Sequence, residues 1–236
     1  MRRRSVILAI ATALVLAGIA VGVLTLLMRH EPEFYRERAV APGQTRMQQS
    51  KEFLKTFTKV LSEAINGCDF NATFTEDQIN SYFQEAFITS GFAKNLLPEE
   101  ISEPRIAIEP ERIRLAFRYG SVPWSTIISI DWRVWLAPKE SNVVALELQG
   151  LHAGSLPISA QSLLEKISDI ARRKNIDVTW YRHHGNPVAL LRFPNDSRTA
   201  VQLHQLELRS GRLTIVGRAL ENLPHASRPG LSPQAN

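Results

Sequence analysis

Hydrophobic and polar positions change rhythm several times along the chain. From Ser5 to Met28 the run SVILAIATALVLAGIAVGVLTLLM carries no charge and no polar face, and Arg2, Arg3 and Arg4 precede it. At ~1.5 Å per residue a helix over this run reaches about 36 Å, beyond the roughly 30 Å hydrocarbon core of a bilayer. Thr12 and Thr25 can return their hydroxyls to the helix backbone. The pattern predicts an N-terminal membrane anchor over residues 1–29, with a cleaved signal peptide as the competing reading. Gly18 and Gly22 form a G-x-x-x-G pair, the spacing of a weak homodimer seam between membrane helices.

Residues 30–45, charged and punctuated by Pro32, Pro42 and Gly43, read as a juxtamembrane linker. The period then becomes helical. Phe53, Leu54, Phe57, Val60, Leu61, Ala64 and Ile65 recur at three-and-four spacing, closed by Asn66 and Gly67. A second helix opens at Thr75, whose hydroxyl and Gln78 have the spacing of a capping box, and it presents Ile79, Tyr82, Phe83, Ala86 and Phe87 before Ser90 and Gly91.

From Pro104 the period is two. A short strand at Arg105 to Ile108 is followed by alternating patterns at Ile113 to Tyr119, Ile128 to Leu136, Val144 to Leu148 and Leu151 to Leu156. Ser159 then N-caps a third helix with the stripe Leu163, Leu164, Ile167, Ile170 and Ala171. Four further strand patterns run over Ile176 to Tyr181, Val188 to Phe193, Ala200 to Arg209 and Arg212 to Leu220. In the third of these the apolar parity switches between Leu203 and Leu206, which predicts a β-bulge near His204 and Gln205. Residues 222–236, rich in proline, read as a disordered tail. The fold class this implies is α+β: an N-terminal transmembrane helix, then one domain over 46–221 in which amphipathic helices cover a curved antiparallel sheet.

Charge sharpens the picture at two points. The basic start of the anchor predicts its amino end on the cytoplasmic side, as a signal anchor, with the domain extracytoplasmic, in a periplasm or at the cell exterior. With Arg2, Arg3, Arg4 and Arg29 set aside, the remaining basic residues nearly balance the 23 acidic ones. The basic isoelectric point is therefore no footprint of nucleic acid, which is not an expected partner.

Catalytic signatures are missing from the sequence: there is no G-x-S-x-G, H-E-x-x-H, P-loop or G-x-G-x-x-G. No catalytic residue, metal ligand or cofactor is nominated, and the expected protein is not an enzyme. The lone Cys68 makes no internal disulfide and no zinc site. His183 and His184 are adjacent, so on an extended chain they point to opposite sides. Arg172, Arg173 and Lys174 complement a helix C-terminus. Glu99 and Glu100 lie in loop-like sequence, and Asn71-Ala72-Thr73 and Asn195-Asp196-Ser197 match the glycosylation pattern. Trp124, Trp132, Trp135 and Trp180 lie in or near strands, and Trp132 and Trp135, three apart, should face opposite sides of their sheet.

Two segments, FTEDQINSYF from Phe74 and LHAGSLPISAQSLL from Leu151, resemble the YpmS-like group of membrane-anchored bacterial proteins. More distantly the layout is similar to the LmeA-like and tubular lipid-binding proteins. The resemblance implies an extracytoplasmic domain that holds a lipid or another apolar molecule of the cell envelope. The resemblance supplies no site residues; the strand alternation puts Leu115, Phe117, Ile130, Trp132, Val134, Leu146 and Leu148 on one apolar face, expected to line one wall of a groove, with Phe83 and Phe87 on the other. The alternative is a cell-envelope scaffold that acts through protein contacts without catalysis.

Overall fold

The computed structural model describes residues 2–87, 100–121, 125–138, 140, 142–173, 176–192 and 201–219, with side chains from residue 12 onward. Trp124, Glu99, Lys174, the Asn195 pattern, the helix stop at Ser90 and Gly91 and the tail at 222–236 lie outside the described residues.

Helix α1 runs over Arg2–Met28. Among the described residues no helix is long and apolar enough to cross a membrane. The anchor expected over Ser5 to Met28 is corrected on that finding, and with it the single-pass topology, the membrane partner and the extracytoplasmic placement. Nothing approaches within 4 Å of where a side chain at Gly18 or Gly22 would sit. The glycine-mediated homodimer, expected between membrane-spanning helices, is corrected on the absence of such a span among the described residues.

The last turn of α1 is tied to the rest of the protein. The Leu27 carbonyl accepts the Ser155 amide at 2.9 Å, and the Met28 carbonyl accepts the Thr126 hydroxyl. These are carbonyls of a helix end; Leu27 also accepts the His30 amide at 3.4 Å, and the domain supplies the remaining donors. Gly154, at φ +60°, makes the approach possible, because a Cβ there would stand 2.2 Å from the Leu27 carbonyl oxygen.

Residues 30–45 contain a short helix, α2, over Glu33–Glu37, with Tyr35 buried. Helix α3, Gln44–Ile65, leads to β1, Phe70–Thr75, and then to α4, Glu76–Tyr82, which continues into a π-helical turn over Phe83–Phe87. The capping box is present as its spacing predicts: Thr75 Oγ accepts from the Gln78 amide at 3.2 Å and Gln78 Oε1 from the Thr75 amide at 3.0 Å. Strand β1 is an addition to the expected elements, although Phe70, Ala72 and Phe74 alternate inward along it.

The remaining strands are β2 (Ile101–Glu109), β3 (Arg112–Tyr119), β4 (Thr126–Leu136), β5 (Val143–Ala153), β6 (Leu156–Pro157), β7 (Asp177–His183), β8 (Asn186–Arg192), β9 (Val201–Arg209) and β10 (Arg212–Ala219). Helix α5, Gln161–Arg173, lies between β6 and β7, and its first amide donates to Ser159 Oγ at 3.4 Å. All pairings are antiparallel. They form not one curved sheet but two open ones: a three-stranded sheet in the order β1-β10-β9, and a seven-stranded sheet in the order β2-β3-β4-β5-β8-β7 with β6 beside β5. The expected fold class is corrected to a mixed α/β fold with no closed or curled sheet.

Two bulges explain how the apolar pattern is kept inside. In β9 the register with β10 passes from Gln205 to Leu203, leaving His204 unpaired, where the parity switch predicts it. In β5 it passes from Gly150 to Leu148 opposite Asp131 and Trp132, so Gln149 is the extra residue. Leu151 and Leu148, of opposite parity, consequently both face inward. Two patterns expected as separate strands are thus one bent strand.

Three clusters make up the interior, one of them Tyr35, Ala116 and Ile127. Ala72, Phe74, Ile79, Ile106, Ile108, Val134, Val144 and Leu208 pack where the three-stranded sheet, α3 and α4 meet the larger sheet. Ile130, Leu148 and Leu151 pack under Leu163 and Leu164 of α5. Gly217 lets the two halves of the small sheet close, since the Phe70 ring lies 2.3 Å from where its Cβ would be.

Sheet edges that face each other are closed by side chains. Asn80 and Glu76 stand one turn apart on α4, ~6 Å, which matches the ~7 Å between alternate residues of a strand. Asn80 Oδ1 accepts the Ile106 amide at 2.8 Å, and its Nδ2 donates to the Ile106 carbonyl at 2.9 Å. Glu76 Oε2 accepts the Ile108 amide at 2.6 Å, and the Ile108 carbonyl accepts the Gly211 amide at 2.8 Å. On β9, Asn142 does the same work: its Oδ1 accepts the Leu203 amide at 2.6 Å and its Nδ2 donates to the Val201 carbonyl at 3.1 Å. Both carboxamides take the place of a neighbouring strand.

Candidate functional site

The residues expected to line an apolar groove are all placed: three are buried and the other six are partly buried. Ile130, Val134 and Leu148 are buried, while Trp132, Leu115, Phe117 and Leu146 pack against the two core clusters. Phe83 and Phe87 belong to an aromatic cluster in which Phe53 stacks on Tyr82 at 4.7 Å and Phe83 meets Phe87 at 5.3 Å. None of these nine side chains lines a described cavity. The lipid-binding reading is corrected: among the described residues no membrane-spanning helix is found, and none of the cavities described is lined by these side chains. Trp132 and Trp135 do face opposite sides, Trp132 inward and Trp135 under the Arg133 guanidinium at 5.5 Å.

Cavities open elsewhere. One, of about 450 Å³, lies on the outer face of the large sheet beneath residues 30–38, among Arg114, Ser129, Asp131 and His152. Ser129 and His152 are cross-strand partners and Asp131 is two residues from Ser129. Asp131, however, is engaged by Arg114 at 3.3 Å, and Arg114 also reaches Glu109 at 3.3 Å and covers the Phe34 ring at 4.9 Å. The cleft is thus the seam that docks α2 on the sheet.

Tyr35 is the pin of that seam. It is 0% exposed, packs on Ala116 and Ile127, and donates its hydroxyl to the Glu103 carbonyl at 2.9 Å. Arg105 lies over its ring at 4.1 Å and donates to its carbonyl at 2.6 Å, while Arg118 binds Glu31 at 2.7 Å. Arg38 pairs with Glu76. Burial pushes the Tyr35 phenol up to about 12, with Arg105 opposing and Glu103 reinforcing the shift. The unfolded chain releases this proton at about 10. Tyr35 therefore stabilises the fold fully below pH 10 and loses that contribution as pH rises toward 12. Between pH 9 and 11.5 the wild type should lose about 2 kcal/mol of unfolding free energy relative to Tyr35→Phe, measured by urea titration. Equal losses would show the phenol to be solvated.

Besides the exposed apolar side chains of α1 between Leu14 and Met28, two exposed features lie away from this seam. Along α3, Met47, Leu54, Phe57, Leu61 and Ile65 form one narrow apolar stripe, with Ile65 61% and Leu61 49% exposed. Met47, Leu54 and Leu61 are seven residues apart, and Ile65 is one turn beyond, so the stripe follows a helix-pairing seam rather than a scatter of exposed residues. Phe53 and Val60, on the neighbouring flank, point into the core. The amphipathic pattern of this helix was legible, but not which of its apolar residues stay outside.

The second feature is the far edge of the large sheet. β7 is its terminal strand, and a groove of about 610 Å³ separates it from the polar flank of α5. Trp180 Nε1 donates to Ser168 Oγ across this groove at 2.8 Å. The His183 and His184 rings meet edge-on at 4.2 Å, because His184 sits in the hairpin turn at φ 49° instead of on an extended strand. His183 Nδ1 lies 3.6 Å from the buried carboxylate of Glu147, which Asn186 also binds at 3.0 Å. Among the described residues no three His, Cys, Asp or Glu side chains converge as metal ligands would. The outline is that of a two-sheet α/β protein whose exposed apolar surface and open sheet edge lie outside any enclosed cleft. No family model, curated protein or solved structure matches the chain.

Proposed function

We propose that this protein is a non-enzymatic scaffold that works through contacts with other proteins. The observation that carries this reading is the exposed apolar stripe of α3. A contiguous seam of Leu54, Phe57, Leu61 and Ile65 standing in water is unfavourable by about 25 cal/mol for each Å² left uncovered. Its heptad-like spacing fits the apolar face of a partner helix. Helix α3 is held from behind by the aromatic cluster of Phe53, Phe74 and Tyr82, so the stripe is presented on a fixed support.

A photoreactive amino acid placed at Leu61 in the full chain, in its own cells, tests the reading. The expected result is a discrete protein adduct that falls at least about tenfold when Leu54 and Ile65 are both changed to Glu, with thermal unfolding unchanged. An adduct that survives those changes, or none at all, would overturn it.

A further inference from the structure

We infer that β7 is a self-complementary edge through which two copies of this chain pair, antiparallel and centred on Trp180. The site is independent of the α3 stripe and of the α1 glycines. The hairpin joining β7 to β8 fixes which backbone groups are free. His184 and Gly185 both have positive φ, 49° and 90°, as in a two-residue hairpin turn, so His183 and Asn186 exchange hydrogen bonds across it. Antiparallel pairs alternate, so Tyr181, Thr179 and Asp177 also bond inward to β8. The N–H and C=O groups of Val178, Trp180 and Arg182 therefore point away from the sheet. Among the described residues none of them has a hydrogen-bond partner. The edges at β2 and β9 are closed by Asn80, Glu76 and Asn142; among the described residues nothing equivalent covers β7.

One register satisfies all of these groups at once. With Trp180 opposite Trp180 of a second copy, Val178 pairs with Arg182 on both sides, and every outward donor meets an outward acceptor. In the same register Asp177 comes opposite His183, a carboxylate against an imidazole N–H, and no two like charges face each other. Thr179 comes opposite Tyr181, which is 39% exposed in the single chain. Centring the pair on Val178 or Arg182 instead leaves one end of the strand without a partner. A groove of about 610 Å³ lies between this strand and α5.

The register makes a sharp test. Thr179 and the opposing Tyr181 form a non-hydrogen-bonded pair with Cβ atoms ~5 Å apart, close to disulfide range, whereas two Thr179 residues are diagonal at ~7 Å. In a Cys68→Ser background of the full chain, Thr179→Cys and Tyr181→Cys proteins are oxidised gently, separately and mixed. The expected result is a disulfide dimer in the mixture at least about tenfold above either protein alone, abolished when both carry Arg182→Pro, which removes an outward N–H at an edge position that tolerates proline. Unfolding curves matching the parent establish that the variants fold. Equal cross-linking in all three samples, or none in the mixture, would overturn the proposal, and neither outcome bears on the adduct at Leu61.

Discussion

Tyr35→Ala should lower the free energy of unfolding by about 3–5 kcal/mol, the range for emptying a fully buried aromatic site. The ring is enclosed by Ala116, Ile127 and the Arg105 guanidinium, so little can collapse into the space it leaves. Loss of the ring also undocks the segment that carries Glu31 and Arg38, and with it their pairs to Arg118 and Glu76. Tyr35→Phe keeps the packing and gives up one hydrogen bond to the Glu103 carbonyl, so its cost should be only about 1 kcal/mol. Denaturant titrations of the two variants side by side measure the difference. A Tyr35→Ala cost below 1 kcal/mol would mean that α2 is a loosely held flap.

Asn80→Ala should cost about 2–4 kcal/mol, because it leaves two buried backbone groups of Ile106 without partners. Burial sets the size of the effect, since Asn80 is 1% exposed. Asn80→Asp is the informative companion. It keeps an acceptor for the Ile106 N–H but sets a carboxylate oxygen against the Ile106 carbonyl, so it should rescue little. Hydrogen exchange at the Ile106 amide reads the same event locally and should accelerate in both variants. Unchanged protection there would show that α4 is not what closes this edge.

Much of the secondary structure was legible because it rests on local chemistry. The capping box at Thr75, the bulge at His204, the inward face of β3 and β4 and the opposed tryptophans all follow from spacing along the chain. What was not legible depends on partners distant in sequence. Strand β1 is short and lies between two helices, and its alternation of Phe70, Ala72 and Phe74 becomes meaningful only against β10. The division into two sheets is decided by Asn80 and Asn142, whose amides could as well have been solvated loop or helix-surface groups. The same limit applies to the site. Leu115, Ile130 and Leu148 were correctly read as sharing a face, but a shared face does not reveal whether helices fill the space above it. Tyr35 was hidden among charges in what reads as a linker, although an aromatic pair, Phe34 and Tyr35, in such a stretch is a signal of docking.

The two asparagine amides also limit what this protein can build. A strand used as an edge cover would itself present a new edge, and growth could continue indefinitely, as it does in fibrils. A side-chain carboxamide gives one donor and one acceptor to β2 or β9 and, not being a strand, presents no new row of backbone groups to a next chain. If β7 then meets its own copy about a twofold axis, each copy uses up the edge of the other. Assembly along that direction stops at two, and polymerisation through this edge is excluded by the symmetry of the contact.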